Sequence, residues 1–273
     1  MTTTPSQTHT ARFLPMLLRC VLLTALPAAC FAQAKDIRDV ENAVGVIPDE
    51  GYSDQPYLVQ AKNGEWVCVL TTGPGKESKQ GQHVIAAISA DRGKTWSKPI
   101  DIEPSNPVDG LESSWVVPYV TSYGRIYAFY TFNGDGITGK NKGIDPKIKL
   151  AYNYCEMGWF CFKYSDDNGR TWSERHRLPM RKTAVDYFNL WNGEVQLFWS
   201  ICKPITVNNS LLFTFTKMAF HPQSMNEGFL YRSDNAYYRK AQLPKLTGFF
   251  LLKYSSYRQG IVFLKPPLHL IAI

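Results

Sequence analysis

The side chains of this 273-residue chain that could move protons are carboxylates and a histidine placed at the edges of strand-like segments. Asp54 stands directly before Gln55-Pro56, where it reads either as a turn-forming Asx or as an acid/base. Glu112 precedes a strand that begins Ser113-Ser114-Trp115, and Glu77 lies in the polar loop 73–82, open to solvent or to a substrate. His83 opens a strand, as a structural histidine or as a binding group. The cysteines show no metal-ligand spacing, and no cofactor is expected.

Positioning these groups requires elements, and a repeat reveals them. Ser89-Ala90-Asp91-Arg92-Gly93-Lys94-Thr95-Trp96 and Ser165-Asp166-Asp167-Asn168-Gly169-Arg170-Thr171-Trp172 share the pattern S-x-D-x-G-x-T-W, each followed by Ser. Each copy follows a strand-like segment (83–88 and 159–164) and precedes a short extended one (99–102 and 175–178). The pattern suits a hairpin turn held by its own side chains: Ser and Asp bond nearby backbone, Gly supplies a positive φ, and Thr-Trp starts the returning strand.

Composition agrees with a turn-rich β protein: 14% aromatic residues, 19 Gly and 17 Pro, with 44% hydrophobic residues for a core. The net charge of +7 is not spread over a surface. Residues 1–34 hold Arg12 and Arg19 and no acid, and residues 235–273 hold Arg239, Lys240, Lys245, Lys253, Arg258 and Lys265 and no acid. The intervening body is close to neutral, which speaks against nucleic acid as a partner.

The first 34 residues read as a secretory signal, with Arg12 and Arg19, an apolar run over 21–26 and Ala32-Gln33-Ala34 as the cleavage site, so the mature chain is expected to begin at Lys35 in a secreted or periplasmic protein. No stable membrane span is expected, because Arg19 and Pro27 leave fewer than the roughly 18 apolar residues that spanning requires. A lipid-modified Cys30 is the competing reading. Cys155 and Cys161 read either as a local disulfide or as small buried hydrophobes, alongside Cys68 and Cys202.

The two octapeptides resemble the Asp-box, or BNR, repeats of the sialidase (neuraminidase) superfamily, whose members are six-bladed β-propellers. The resemblance implies an all-β fold of four-stranded antiparallel blades over about residues 40–235. The first blade would take strands from 55–59, 65–72, 83–88 and 99–102, the second from 115–121, 125–132, 159–164 and 175–178, and the third from 204–207, 211–217 and 228–232. Asn63-Gly64, Tyr123-Gly124 and Asn208-Asn209 would be hairpin turns. At about 40–50 residues per blade the chain holds three blades and a fragment, not six, so an incomplete propeller is expected. Residues 236–273, with no acid and a Phe249-Phe250-Leu251-Leu252 run, are expected to be a poorly packed, atypical tail left by truncation or a frame shift.

By resemblance the substrate sits where the innermost strands begin and the Asp boxes lie on the opposite rim, so Asp91 and Asp167 are not catalytic. The candidates are then Asp54 and Glu112 as catalytic carboxylates, with Gln55, Glu77, His83, Asn133, Asp135 and Lys203 binding substrate. A sialidase is also expected to use a Tyr nucleophile with its Glu and three Arg that grip the substrate carboxylate. The first Arg would open the first blade in an Arg-Ile-Pro segment, and here Asp54-Gln55-Pro56 or Val46-Ile47-Pro48 stands instead. The implied function is an exported glycoside hydrolase acting on terminal sugars of glycans. The alternatives are a non-catalytic carbohydrate-binding propeller and an inactive fragment.

Overall fold

The computed structural model describes residues 44–77, 80–137, 158–189, 191–219 and 226–234, and the backbone of 248–253. The chain divides into two compact units, Met1–Ala43 and Val44–Ile273. The first lies outside the described residues, and with it the secretory signal, Cys30 and the start at Lys35. Cys155 and most of the 236–273 tail lie outside them too.

The second unit contains three antiparallel sheets. The first runs β1 (Gly51–Gln60), β2 (Trp66–Pro74), β3 (His83–Ser89), β4 (Ile100–Glu103), and the second β5 (Ser113–Val120), β6 (Ile126–Phe132), β7 (Trp159–Ser165), β8 (His176–Leu178). In the third, β9 (Leu197–Trp199) and β10 (Ile205–Val207) both pair with β11 (Ser210–Met218), which is followed by β12 (Asn226–Ser233) and β13 (Gly248–Lys253). Apart from β9, which skips β10 to pair with β11, each strand pairs with a neighbour in sequence. Asn208 and Asn209 both take positive φ (46° and 67°), the two-residue turn whose twist matches a hairpin.

The middle strands β2, β3 and β6 are buried almost throughout: β6 lies between the first and third sheets, while β2 and β3 pack one face on the second sheet and the other against Ile47 and Trp96, and their sequences are accordingly apolar runs rather than alternating patterns. Val67, Val69, Val84 and Ala86 of the first sheet pack on Val116, Ile126, Ala128 and Tyr130 of the second. Between the second and third sheets the core is aromatic. Phe129 lies 4.9 Å from Phe213 and Phe160 lies 5.1 Å from Phe215, ring to ring. Such pairs add about 0.5–1.5 kcal/mol each beyond their area burial.

The two octapeptides close the β3–β4 and β7–β8 connections with one hydrogen-bond pattern. Asp91 Oδ1 accepts from Ser89 Oγ (2.8 Å) and Thr95 N (2.8 Å), and Asp91 Oδ2 from Thr95 Oγ1 (2.7 Å). Asp167 repeats this with Ser165 (2.7 Å) and Thr171 (2.9 and 2.6 Å). Both serines also accept a glycine N–H, from Gly93 at 2.7 Å and Gly169 at 2.8 Å. These bonds pull the Asp91 carboxyl down to about 2. At Asp167 partial burial pushes the other way, and the bonds from Thr171 and Ser165 still bring it below its ordinary value. These aspartates are spent on turn structure.

The first strands share an irregularity that sequence reading did not expect. Gln55 and Pro56 bulge between the pairs Asp54–Thr71 and Tyr57–Val69, and Trp115 and Val116 between Ser114–Thr131 and Val117–Phe129. Gln55 and Trp115 both have positive φ, 49° and 54°. In the third sheet the same place is a full break, residues 200–204, between Trp199–Thr216 and Ile205–Leu212. Asp54 therefore does not precede the first strand. It lies inside β1, which carries on through its bulge from Gly51. Within the segment read as a tail, β13 pairs with β12 from Arg232–Gly248 to Glu227–Lys253.

Candidate active site

Glu112 sits at the end of the sheets where β1, β5 and β9 begin, immediately before β5, and is 2% exposed. Its Oε1 accepts the Gly81 N–H at 3.0 Å, and its carbonyl accepts the Asn133 N–H at 2.9 Å. Burial pushes the carboxyl up to about 7, and the bond from Gly81 offsets only part of that. A carboxylic acid that holds its proton near neutrality can donate it, which an ordinary surface glutamate cannot.

His83, the first residue of β3, fixes the same loop. Its Nδ1 donates to the Gly81 carbonyl at 3.0 Å, and its Nε2 faces Asp101 Oδ1 at 3.4 Å and Glu50 Oε1 at 3.6 Å. One residue thus serves both groups: the Gly81 N–H is given to Glu112 and its carbonyl is held by His83. Only glycine suits this position, with φ +100° and a β-carbon that would lie 3.2 Å from the Pro74 ring.

Asp54 is half-buried opposite Thr71. It holds in β1 the register place that Ser114, two residues after Glu112, holds in β5. Gln55 has its Oε1 buried with no hydrogen-bond partner among the described residues. Asn133 is fully buried and both ends of its amide are taken up by Ile137, at 2.8 and 3.0 Å, closing the loop after β6. Glu77 and Asp135 are exposed in turns. Lys203 is exposed and donates to the Leu58 carbonyl at 2.7 Å, tying the break in the third sheet to β1. Tyr57 makes a parallel tie, its hydroxyl donating to the Ile201 carbonyl at 2.5 Å. The structure gathers Glu112, His83 and the Asn133 backbone around one loop, with Asp54 on the adjoining strand, and leaves Glu77 and Asp135 outside that group.

Two charge clusters at the same end were not found from sequence. Glu103, 5% exposed at the end of β4, accepts from Tyr130 Oη (2.6 Å), Arg175 Nη1 (2.8 Å) and Lys163 Nζ (3.2 Å), and so clamps the first sheet to the second. Burial and then the Glu103 charge hold the Tyr130 phenol well above its ordinary value. In the third sheet Lys217, 1% exposed, donates to Asp186, to the Arg181 carbonyl (2.9 Å) and to Thr183 Oγ1 (3.2 Å). Burial lowers the Lys217 ammonium, and the Asp186 and Glu227 carboxylates work against that shift. Lys217 stands opposite Glu227 in register, as Thr72 stands opposite His83 and Phe132 opposite Trp159. The signal available in sequence was a lysine at a core-facing position of the apolar 211–218 run.

Among the described residues no group of three or more His, Cys, Asp and Glu side chains could hold a metal ion, and no helix is long and apolar enough to cross a membrane. Cys161 is a free buried thiol that burial pushes up to about 12.

No family model matches the chain, and no curated protein does. Among solved structures, a protein of unknown function from Dyadobacter fermentans DSM 18053 is 16% identical, covering 70% of this chain and 54% of its own, at a TM-score of 0.49. The intramolecular trans-sialidase from Ruminococcus gnavus is 14% identical over 76% of this chain and 62% of its own (TM-score 0.46). The Hadza microbial sialidase Hz136 is 14% identical over 74% and 44% (TM-score 0.43). The chain spans about half the length of these solved structures.

Proposed function

We propose that the three sheets are blades of a sialidase-like β-propeller that acts on the terminal sugars of glycans by glycoside hydrolysis, with Glu112 as its general acid. The observation that carries this reading is the Glu112 carboxyl, buried at the end where the first strands begin and raised to about 7. In that role it donates its proton to the glycosidic oxygen as the bond to the leaving group breaks, and it is left as a carboxylate held by the Gly81 N–H. Asp54 is the second carboxylate of the pair, stabilising the developing positive charge at the anomeric carbon. Gln55 and His83 belong to the wall that binds the sugar, whereas Asn133, buried and spent on Ile137, holds the loop after β6, and Glu77 and Asp135 take no part in this reading. Export of the mature chain from Lys35 belongs to the same proposal.

A neutral or amino sugar suits this site better than a sialic acid, because Asp54 stands where an arginine would grip the substrate carboxylate and would repel it instead. The same observation favours the second reading, a propeller that binds glycans without cleaving them. A panel of aryl glycosides, sialosides included, tests both. Hydrolysis should appear on a neutral or amino sugar, fall by about 10²-fold or more in Glu112→Gln, and persist in Asp91→Ala. Glycan binding without release of aglycone on any member of the panel would establish the second reading, and sialoside turnover lost on Asp54→Ala would overturn the electrostatic argument.

A further inference from the structure

At the opposite end of the sheets, where the octapeptide turns lie, a cleft of about 270 Å³ is lined by Lys62, Asn63, Tyr123, Gly124, Arg125, Asp166 and Asn168. Three turns build it: the β1–β2 and β5–β6 hairpins and the second octapeptide. Its charges are set by two fixed pairs. Arg125, 6% exposed, gives Nε and Nη2 to the two Asp166 carboxylate oxygens at 2.8 and 2.7 Å, with its guanidinium 3.8 Å over the Tyr164 ring. Arg170 likewise compensates Glu65, at 2.8 Å. Lys62 has no acidic partner among the described residues, so its ammonium is the excess charge of the cleft. Its stem is laid across Gly124, where a β-carbon would come within 2.8 Å of Lys62 Cδ.

We propose that this cleft is a second binding site, separate from the Glu112 site, for a single sugar residue bearing one carboxylate, of the uronic acid class. Its volume lies below the roughly 300–1,000 Å³ of sites for drug-sized ligands, which suits one monosaccharide. Lys62 takes the carboxylate, the Tyr123 ring offers a face for the pyranose, and the Asn168 amide with the outer edge of Asp166 meets hydroxyls. Asp166 also selects against a dianion such as phosphate, which one lysine does not neutralise.

The test is an amide-resolved NMR titration of the whole chain with methyl glucuronide, with methyl glucoside and inorganic phosphate run alongside. The Tyr123, Gly124 and Asn168 signals should move saturably with the glucuronide. Lys62→Gln should weaken that binding by about tenfold, the size of one charge-assisted hydrogen bond. Asn168→Gly, which keeps the φ of +61° comfortable while removing the amide, should weaken it with the rest of the spectrum unchanged. Glu112→Gln should leave it intact, so failure of the hydrolase reading does not touch this one. Equal binding of glucoside or phosphate, absence of saturable shifts, or full binding by Lys62→Gln would overturn the proposal.

Discussion

The Thr71 hydroxyl of the first sheet accepts the Trp115 N–H of the second at 3.0 Å, at the point where β5 bulges away from β6 and leaves that N–H without a ladder partner. One sheet thus completes the backbone bonding of the next. Thr131, the equivalent residue, donates from its hydroxyl to the Phe198 carbonyl of the third sheet at 3.4 Å. A buried N–H without an acceptor costs about 1–3 kcal/mol, so Thr71→Val should lower stability by that amount and Thr71→Ser by much less. Urea denaturation reads this directly, and an unchanged midpoint in Thr71→Val would show the bond to be dispensable.

Glu103 should be the costliest single carboxylate to remove. Glu103→Ala leaves Lys163 and Arg175 facing each other across a buried gap, and breaking a buried ion cluster in this way costs about 3–5 kcal/mol. For a chain of this size that is a fall in Tm of about 6–20 °C. Calorimetry of the variant checks it, and a change below about 2 °C, equivalent to about one kcal/mol or less, would count against the clamp.

Acid should unlock the octapeptide turns. Asp91 has its carboxyl lowered to about 2 by Thr95 and Ser89, so its contribution is complete above the ordinary value of 3.8 and is lost as the pH falls through about 2. Asp91→Ala should therefore lower the melting temperature at neutral pH and flatten its decline over that window. A variant as acid-sensitive as the parent there would locate the effect elsewhere.

The Lys217–Asp186 pair should behave as a unit. Lys217→Met strands a buried carboxylate and should cost about 3–5 kcal/mol, whereas the double variant with Asp186→Leu should recover much of the loss. A double-mutant cycle showing simple additivity would contradict the coupling.

The strands were legible because their signals are local. The paired octapeptides, the Asn-Gly and Asn-Asn turns and the apolar runs of β2, β3 and β6 each announce an element within about ten residues. The bulges were not: the Trp115 N–H freed at the second bulge is taken up by Thr71 of the neighbouring sheet, and no residue beside Trp115 or Gln55 announces the positive φ. For the same reason Asp54 read as a residue before a strand rather than within one, and β9 was missed behind a five-residue break in pairing. Of the site, Glu112 and His83 were found from their places at strand starts. Gly81, which joins them, carries no charge to draw notice. Asp186 and Lys217 are 31 positions apart and meet only through the packing of the loop after β8 on β11.

The account rests on Glu112 being an acid that keeps its proton near neutrality, and an NMR titration of its side-chain carboxyl carbon measures that directly, with Glu112→Gln supplying the assignment. The expected midpoint is about 7, against the ordinary 4.5. Because the folded value is raised, the stability linked to Glu112 is complete below 4.5 and is lost as the pH climbs through about 7, and Glu112→Gln, whose amide oxygen still accepts from Gly81, should abolish that loss. A Glu112 midpoint at 4.5, with the variant showing the same pH dependence as the parent, would contradict the claim that this buried carboxyl is poised as a proton donor.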